Sequence, residues 1–157
     1  MLRSAIYGTK LTEEELSNYS SDLLQDLLKI SSKHDVVHLL VFGLKQNGLI
    51  PEEKKSIENY IFKAVYRYEQ IRCEYENLCN ALEKAHVPFL PLKGSVIRRY
   101  YPEAWMRMSC DIDVLVEQKN LEKAVALLRE HNTEATIITT PWDALDGRAI
   151  LAAMEQK

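Results

Sequence analysis

The sequence predicts an α+β fold: a helical N-terminal subdomain followed by a small mixed-sheet core. Three observations predict it. Apolar residues recur at helical spacing from Leu11 to about His86. At Val87 the pattern changes to short β-branched or proline-broken runs that alternate with an amphipathic helix. The 157 residues are enough for one domain with a real core. The composition is that of a folded chain, 46% hydrophobic and 27% charged with 5 Gly and 5 Pro, which excludes low-complexity and collagen-like classes. A net charge of −3 argues against a strongly basic nucleic-acid coat protein and leaves a local basic patch open.

The elements follow in order. Thr12-Glu13-Glu14-Glu15 reads as a capping box with acids at the positive end of a helix. Ser20 or Ser21 caps the next helix, whose stripe is Leu23, Leu24, Leu27 and Leu28. A third helix runs from about Lys33 through Leu44 and stops at Asn47-Gly48. Pro51-Glu52-Glu53 opens the longest helix, expected over about 51–86 and roughly 50 Å long at 1.5 Å per residue. Its aromatics Tyr60, Phe62, Tyr66, Tyr68 and Tyr75 resemble a base-stacking surface, but at helical spacing they are expected to pack.

The second half begins with an extended segment at Val87–Leu92, where Pro88 and Pro91 point to an edge or a strand end. Ser95–Tyr101 reads as a short helix, Asp111–Val116 as a strand, Lys119–Glu130 as an amphipathic helix and 134–140 as another strand. The expected domains are therefore 1–86, 87–140 and an atypical tail, 141–157.

Location and redox state follow from what the chain lacks. No run of about 18 apolar residues exists, and Met1–Lys10 has no apolar signal-peptide core, so a cytoplasmic protein is expected. Cys73, Cys79 and Cys110 are odd in number and form no CxxC pair, which reads as reduced thiols. His34 and His38 have a zinc-compatible i, i+4 spacing, but no Cys or Glu pattern accompanies them.

Asp111 and Asp113 flank one apolar residue in the expected strand, so both carboxylates share a face. Two like charges beside an apolar run repel, and a divalent cation relieves that repulsion. Hard oxygen ligands favour Mg²⁺ or Mn²⁺. By itself the pair is more often a solvated turn at a strand start. Lys93-Gly94-Ser95 follows an extended segment and opens a helix. Glycine permits close backbone approach, Ser95 can cap or donate to phosphate, Lys93 adds positive charge, and free helix N–H groups attract anions. Alone this is a common cap. Together, a phosphate cradle and a carboxylate pair describe a nucleotide site.

Between them, residues 93–107 carry four basic side chains (Lys93, Arg98, Arg99, Arg107) and one acidic, Glu103. Their functional reading is triphosphate or substrate contact, Arg107 foremost because it lies nearest the aspartates. The other reading is a solvated face with arginine stems over aromatics.

Leu92-Lys93-Gly94-Ser95, then Tyr101-Pro102, then Arg107, then Asp111-Ile112-Asp113-Val114-Leu115-Val116 resembles the uncharacterised nucleotidyltransferase family of the DNA polymerase beta-like superfamily. That family reads LKG, an aliphatic helix, YP, and R before DIDLLV; the helix ending in Ala85-His86-Val87-Pro88 is similar too. The likeness covers roughly residues 20–130.

The resemblance implies that Gly94 and Ser95 contact the phosphates of a nucleoside triphosphate, with Lys93 and Arg107 assisting. It implies that Asp111 and Asp113 ligate Mg²⁺ (or Mn²⁺) while an acceptor attacks the α-phosphate and pyrophosphate leaves. The superfamily usually adds a third carboxylate on a later strand. Asp143 and Asp146, the only downstream aspartates, have a Pro- and Gly-flanked setting that does not read as a strand. The core is therefore expected to be incomplete and its transfer activity impaired. Two other readings stay open: a non-catalytic nucleotide-binding or protein-interaction module, and a nucleic-acid binder using the basic patch.

Overall fold

The computed structural model describes residues 1–134, 136, 137 and 139. The expected strand at 134–140 falls partly outside these residues. The expected tail, 141–157, with Asp143 and Asp146, lies outside them entirely.

The helical half follows its local signals closely. Helix α1 (Leu2–Tyr7) precedes the expected helical region and stops at Gly8, whose φ is 66°. Six residues are too few for periodicity to register. Helix α2 (Glu13–Ser17) carries the full capping box. Thr12 Oγ1 accepts from the Glu15 amide at 3.2 Å, and the Glu15 carboxylate accepts from the Thr12 amide at 2.8 Å. The Thr12 amide and then the Thr12 hydroxyl, both donating to the Glu15 carboxylate, hold it below its ordinary pKa. Ser20 caps helix α3 (Ser21–Lys33) through the Leu23 amide at 3.2 Å. Helix α4 (Val37–Gln46) starts later than expected, after a break in which Asp35 takes a φ of 56°.

The long helix is shorter than its sequence pattern. Glu52–Glu58 is a 3₁₀ segment with a kink at Lys54, and helix α5 (Asn59–Lys84) follows with 26 residues, about 39 Å. Ser56 and Asn59 are weak helix formers. The tighter winding delivers Ile57 to the cluster of Leu24, Leu40 and Leu44. The packing expected of the aromatic series also fails in part: Phe62 is 68% and Tyr66 67% exposed. Their positions turn away from the side of α5 that buries Ala64.

Strand β1 (Phe89–Pro91), the short helix α6 (Gly94–Ile97), strand β2 (Val114–Val116) and helix α7 (Leu121–His131) complete the described elements, with 3₁₀ turns at Arg98–Tyr100, Ala104–Met106 and Gln118–Asn120. The two strands pair, and the Leu92 amide extends the pairing by donating to Asp113 O at 2.9 Å. No helix among the described residues is long and apolar enough to cross a membrane.

The chain divides into two compact units. The first joins Met1–Glu76 to Leu90–Leu115; the second joins Asn77–Phe89 to the described residues from Val116 onward. In the first unit, Ala5, Leu39 and Met106 form one buried cluster against Phe42 and Trp105. A Cβ on Gly43 would stand 2.5 Å from Met1 O, so glycine is what lets the start of α1 approach α4. Asn47 does more than end α4: its Nδ2 donates to Ser4 Oγ at 2.8 Å and to Gly43 O at 2.7 Å.

In the second unit Leu78, Ala81, Leu82, Val87 and Ala124 are buried. The end of α5 is closed there by the Val87 amide on Leu82 O and by Lys123 Nζ on Ala85 O.

His38 is buried in the first unit, where its Nε2 donates to Met106 O at 3.1 Å and its ring meets Trp105 edge-on. Burial lowers its pKa below the ordinary 6.5, against the opposing effects of the Met106 bond and Asp35. Below about pH 6.5 the unfolded chain takes up a proton that the folded chain resists. The stability present above that pH is therefore lost as the pH falls toward the lowered native value. Urea midpoints at pH 7.5 and 5.5 check this: the wild type is expected to lose stability, and His38→Gln, which keeps a donor but no titration, to lose less.

Candidate functional site

The approach to the aspartate pair has almost no regular structure, so its backbone must find partners elsewhere. Three successive carbonyls find them in side chains. Met106 O accepts from His38, Arg107 O from Arg98 Nε at 3.3 Å, and Met108 O from the Arg107 side chain itself.

Arg98 is the centre of this arrangement. It is 8% exposed, and its Nη2 also donates to Ser109 Oγ at 2.5 Å. Its guanidinium carbon lies 5.4 Å from the centroid of the Tyr68 ring. Burial lowers its pKa from the ordinary value and the Arg107 charge acts the same way, while Tyr68 and Asp111 oppose them. Of the two readings of the basic loop, Arg98 thus takes the packed one. Arg99, next in sequence, is exposed and stacks on Tyr100, 5.2 Å from its ring centroid.

Gly94 is buried against the same serine. A Cβ there would stand 3.1 Å from Ser109 Oγ and 3.3 Å from Ser109 Cβ. The glycine therefore brings the α6 turn close to the aspartate loop, and its φ is not positive. The unusual backbone belongs to Lys93, with φ 41° and ψ −106°, values that favour glycine. Lys93 is the N-cap of α6 without a side-chain cap bond, so Ser95 is not the cap; it lies one residue inside the helix, half-buried.

Asp111 and Asp113 precede β2 rather than lying within it, which corrects the expected strand boundary. Strand pairing reaches back only to the Asp113 carbonyl. Asp111 is exposed and Asp113 half-buried, with Lys93 Nζ 3.9 Å from Asp113 Oδ2. Lys93, Gly94, Ser95, Arg107, Asp111 and Asp113 all fall in the first unit. No cluster of three or more His, Cys, Asp or Glu suited to a metal is present among the described residues.

His34 ends α3 in solvent while His38 is turned onto Met106, so the two do not form a zinc pair. Cys79 and Cys110 are free thiols, and Arg67 Nη2 lies 2.6 Å from Cys110 Sγ. The sequence reading passed over Ser109 and Arg67. Neither lies in a local pattern that would mark it, because each partner is remote along the chain.

A family model described as "Uncharacterised nucleotidyltransferase" matches residues 20–144 of the 157. No curated protein and no solved structure matches the chain.

Two stability measurements check this geometry. Arg98→Met is expected to cost about 1–3 kcal/mol, because it leaves the Arg107 carbonyl and the Ser109 hydroxyl without their donor; Arg99→Met should stay within about 0.5 kcal/mol. Lys93→Gly is expected to stabilise by about 1 kcal/mol by relieving the backbone, whereas Lys93→Ala should bring no such gain. Denaturant unfolding reads both.

Proposed function

The chain belongs to the uncharacterised nucleotidyltransferase family, and from that premise we propose that it binds a nucleoside triphosphate with a divalent cation and transfers the nucleotidyl group to an acceptor. One observation supports this reading most. Asp111 and Asp113 share a short, solvent-accessible approach to β2, and Lys93 of the α6 turn stands beside Asp113.

The donor set fits a hard cation. Mg²⁺ keeps several waters and commonly takes one or two carboxylates plus substrate phosphates. Asp111 and Asp113 would hold it; when bound, it supplies charge neutralisation on the phosphate oxygens. Lys93 and Arg107 add positive charge for the triphosphate, and the Ser95 hydroxyl donates to it. Gly94 keeps the turn slim enough to sit against Ser109. Catalysis in this reading is positioning and charge stabilisation. The acceptor's hydroxyl oxygen forms a bond to the α-phosphorus and gives up its proton to water as the bond to pyrophosphate breaks.

Calorimetric titration of the whole chain with each of the four nucleoside triphosphates, with and without Mg²⁺, tests the proposal. The wild type is expected to bind at least one of them in a Mg²⁺-dependent way. Asp111→Asn and Asp113→Asn are each expected to weaken that binding by tenfold or more, about 1.4 kcal/mol. Affinities equal to wild type in both variants would sink the site assignment. Transfer of label from an α-labelled triphosphate then separates a transferase from a module that only binds.

A further inference from the structure

A groove of about 260 Å³ opens in the first unit, where α5 and the start of α4 face the loop that leads to the aspartates. Tyr60, Lys63 and Arg67 line it from α5, Asp35 from the break before α4, His38 from α4 itself, and Met108 from the loop. Positions 60, 63 and 67 fall on one side of a helix.

The charge balance of the groove favours an anion. Neither Lys63 nor Arg67 enters an ion pair among the described residues. Lys63 Nζ rests 5.9 Å from the Tyr60 ring centroid. Arg67 spends one guanidinium nitrogen on Cys110 Sγ, which leaves the remaining donors of its fork. Asp35 is the single acid in the lining among the described residues, and burial keeps His38 toward its neutral form. Two cations against one carboxylate leave net positive charge.

The volume accommodates a small charged group rather than a whole nucleotide. A phosphate monoester, with nearly two negative charges and three acceptor oxygens, matches an arginine fork beside an ammonium. The location adds the last link. Met108 is three residues before Asp111, so at most about 11 Å of chain separates the groove wall from the first carboxylate.

We propose that this groove seats the phosphate monoester of the acceptor substrate, with Lys63 and Arg67 as its binding residues. The assignment rests on the nucleotidyl-transfer reading for the word acceptor, and on the groove alone for the phosphate ester.

The test is an amide NMR titration of the whole chain with β-glycerophosphate in phosphate-free buffer, with Mg²⁺ and the tightest-binding triphosphate present. Shifts are expected at Lys63, Arg67 and Met108, without release of the triphosphate. Lys63→Ala, Arg67→Ala and the milder Arg67→Lys are expected to weaken glycerophosphate binding severalfold, with melting temperatures close to wild type. Glycerol is expected to leave the spectrum unchanged. Absence of shifts in the wild type, shifts confined to 93–95, displacement of the triphosphate, or wild-type affinity in all three variants would each overturn the groove assignment. Shifts at Lys63 and Arg67 in a chain that binds no triphosphate would overturn the nucleotidyl-transfer reading and leave the phosphate-ester site standing.

Discussion

Three consecutive carbonyls, those of Met106, Arg107 and Met108, accept from side chains, the first in a buried bond and the other two in part-buried ones. An unsatisfied buried carbonyl costs about 1–3 kcal/mol, so this stretch is stable only if side chains are brought to it. His38 comes from α4, Arg98 from the turn after α6, and Arg107 folds back on its own loop. Much of the first unit answers to that requirement. Met106 joins Ala5 and Leu39 in the core, Trp105 packs against Phe42 and His38, and Tyr68 faces the Arg98 guanidinium.

That constraint changes the meaning of the basic patch. Residues 93–107 look like a positive surface in sequence, yet Arg98 is turned inward and Arg107 donates to the carbonyl next to it. Lys93 and Arg99 remain outward. The outward-facing positive charge of this stretch is therefore smaller than the count of basic residues indicates, and Lys93 is the one placed beside an aspartate among the described ion pairs. The aspartates differ from their expected setting as well. They sit ahead of β2, one exposed and one half-buried, where water already screens their repulsion. The case for a cation then rests on their accessibility and placement, not on the cost of burying them.

Lys93 concentrates the local strain. A non-glycine residue at φ 41° and ψ −106° persists only when its surroundings demand it. Here the demand comes from both sides: β1 pairs up to Leu92, and Gly94 is pressed against Ser109. A glycine at 93 would ease the backbone but would remove the ammonium beside Asp113. Stability and charge placement pull in opposite directions at this residue.

The sequence by itself determined the helix caps, the order of the elements from α2 to α7, and the set of residues from which a site could be built. Thr12 with Glu15, Ser20 with Leu23, and Asn47 with Gly48 act within one turn, so their chemistry is complete in a few consecutive letters. The long helix was legible in where it ends but not in where its α-helical winding begins, because the 3₁₀ start depends on where Ile57 must pack. Phe62 and Tyr66 carry the same aromatic signal as Tyr68, and only the tertiary structure decided which of them would find cover. Arg98 and Arg99 make the sharpest case. They are adjacent and chemically identical, yet one is buried and one stacks in solvent. The difference lies in a carbonyl nine residues away and a hydroxyl eleven residues away, and local sequence carries no information about which of the two arginines will meet them.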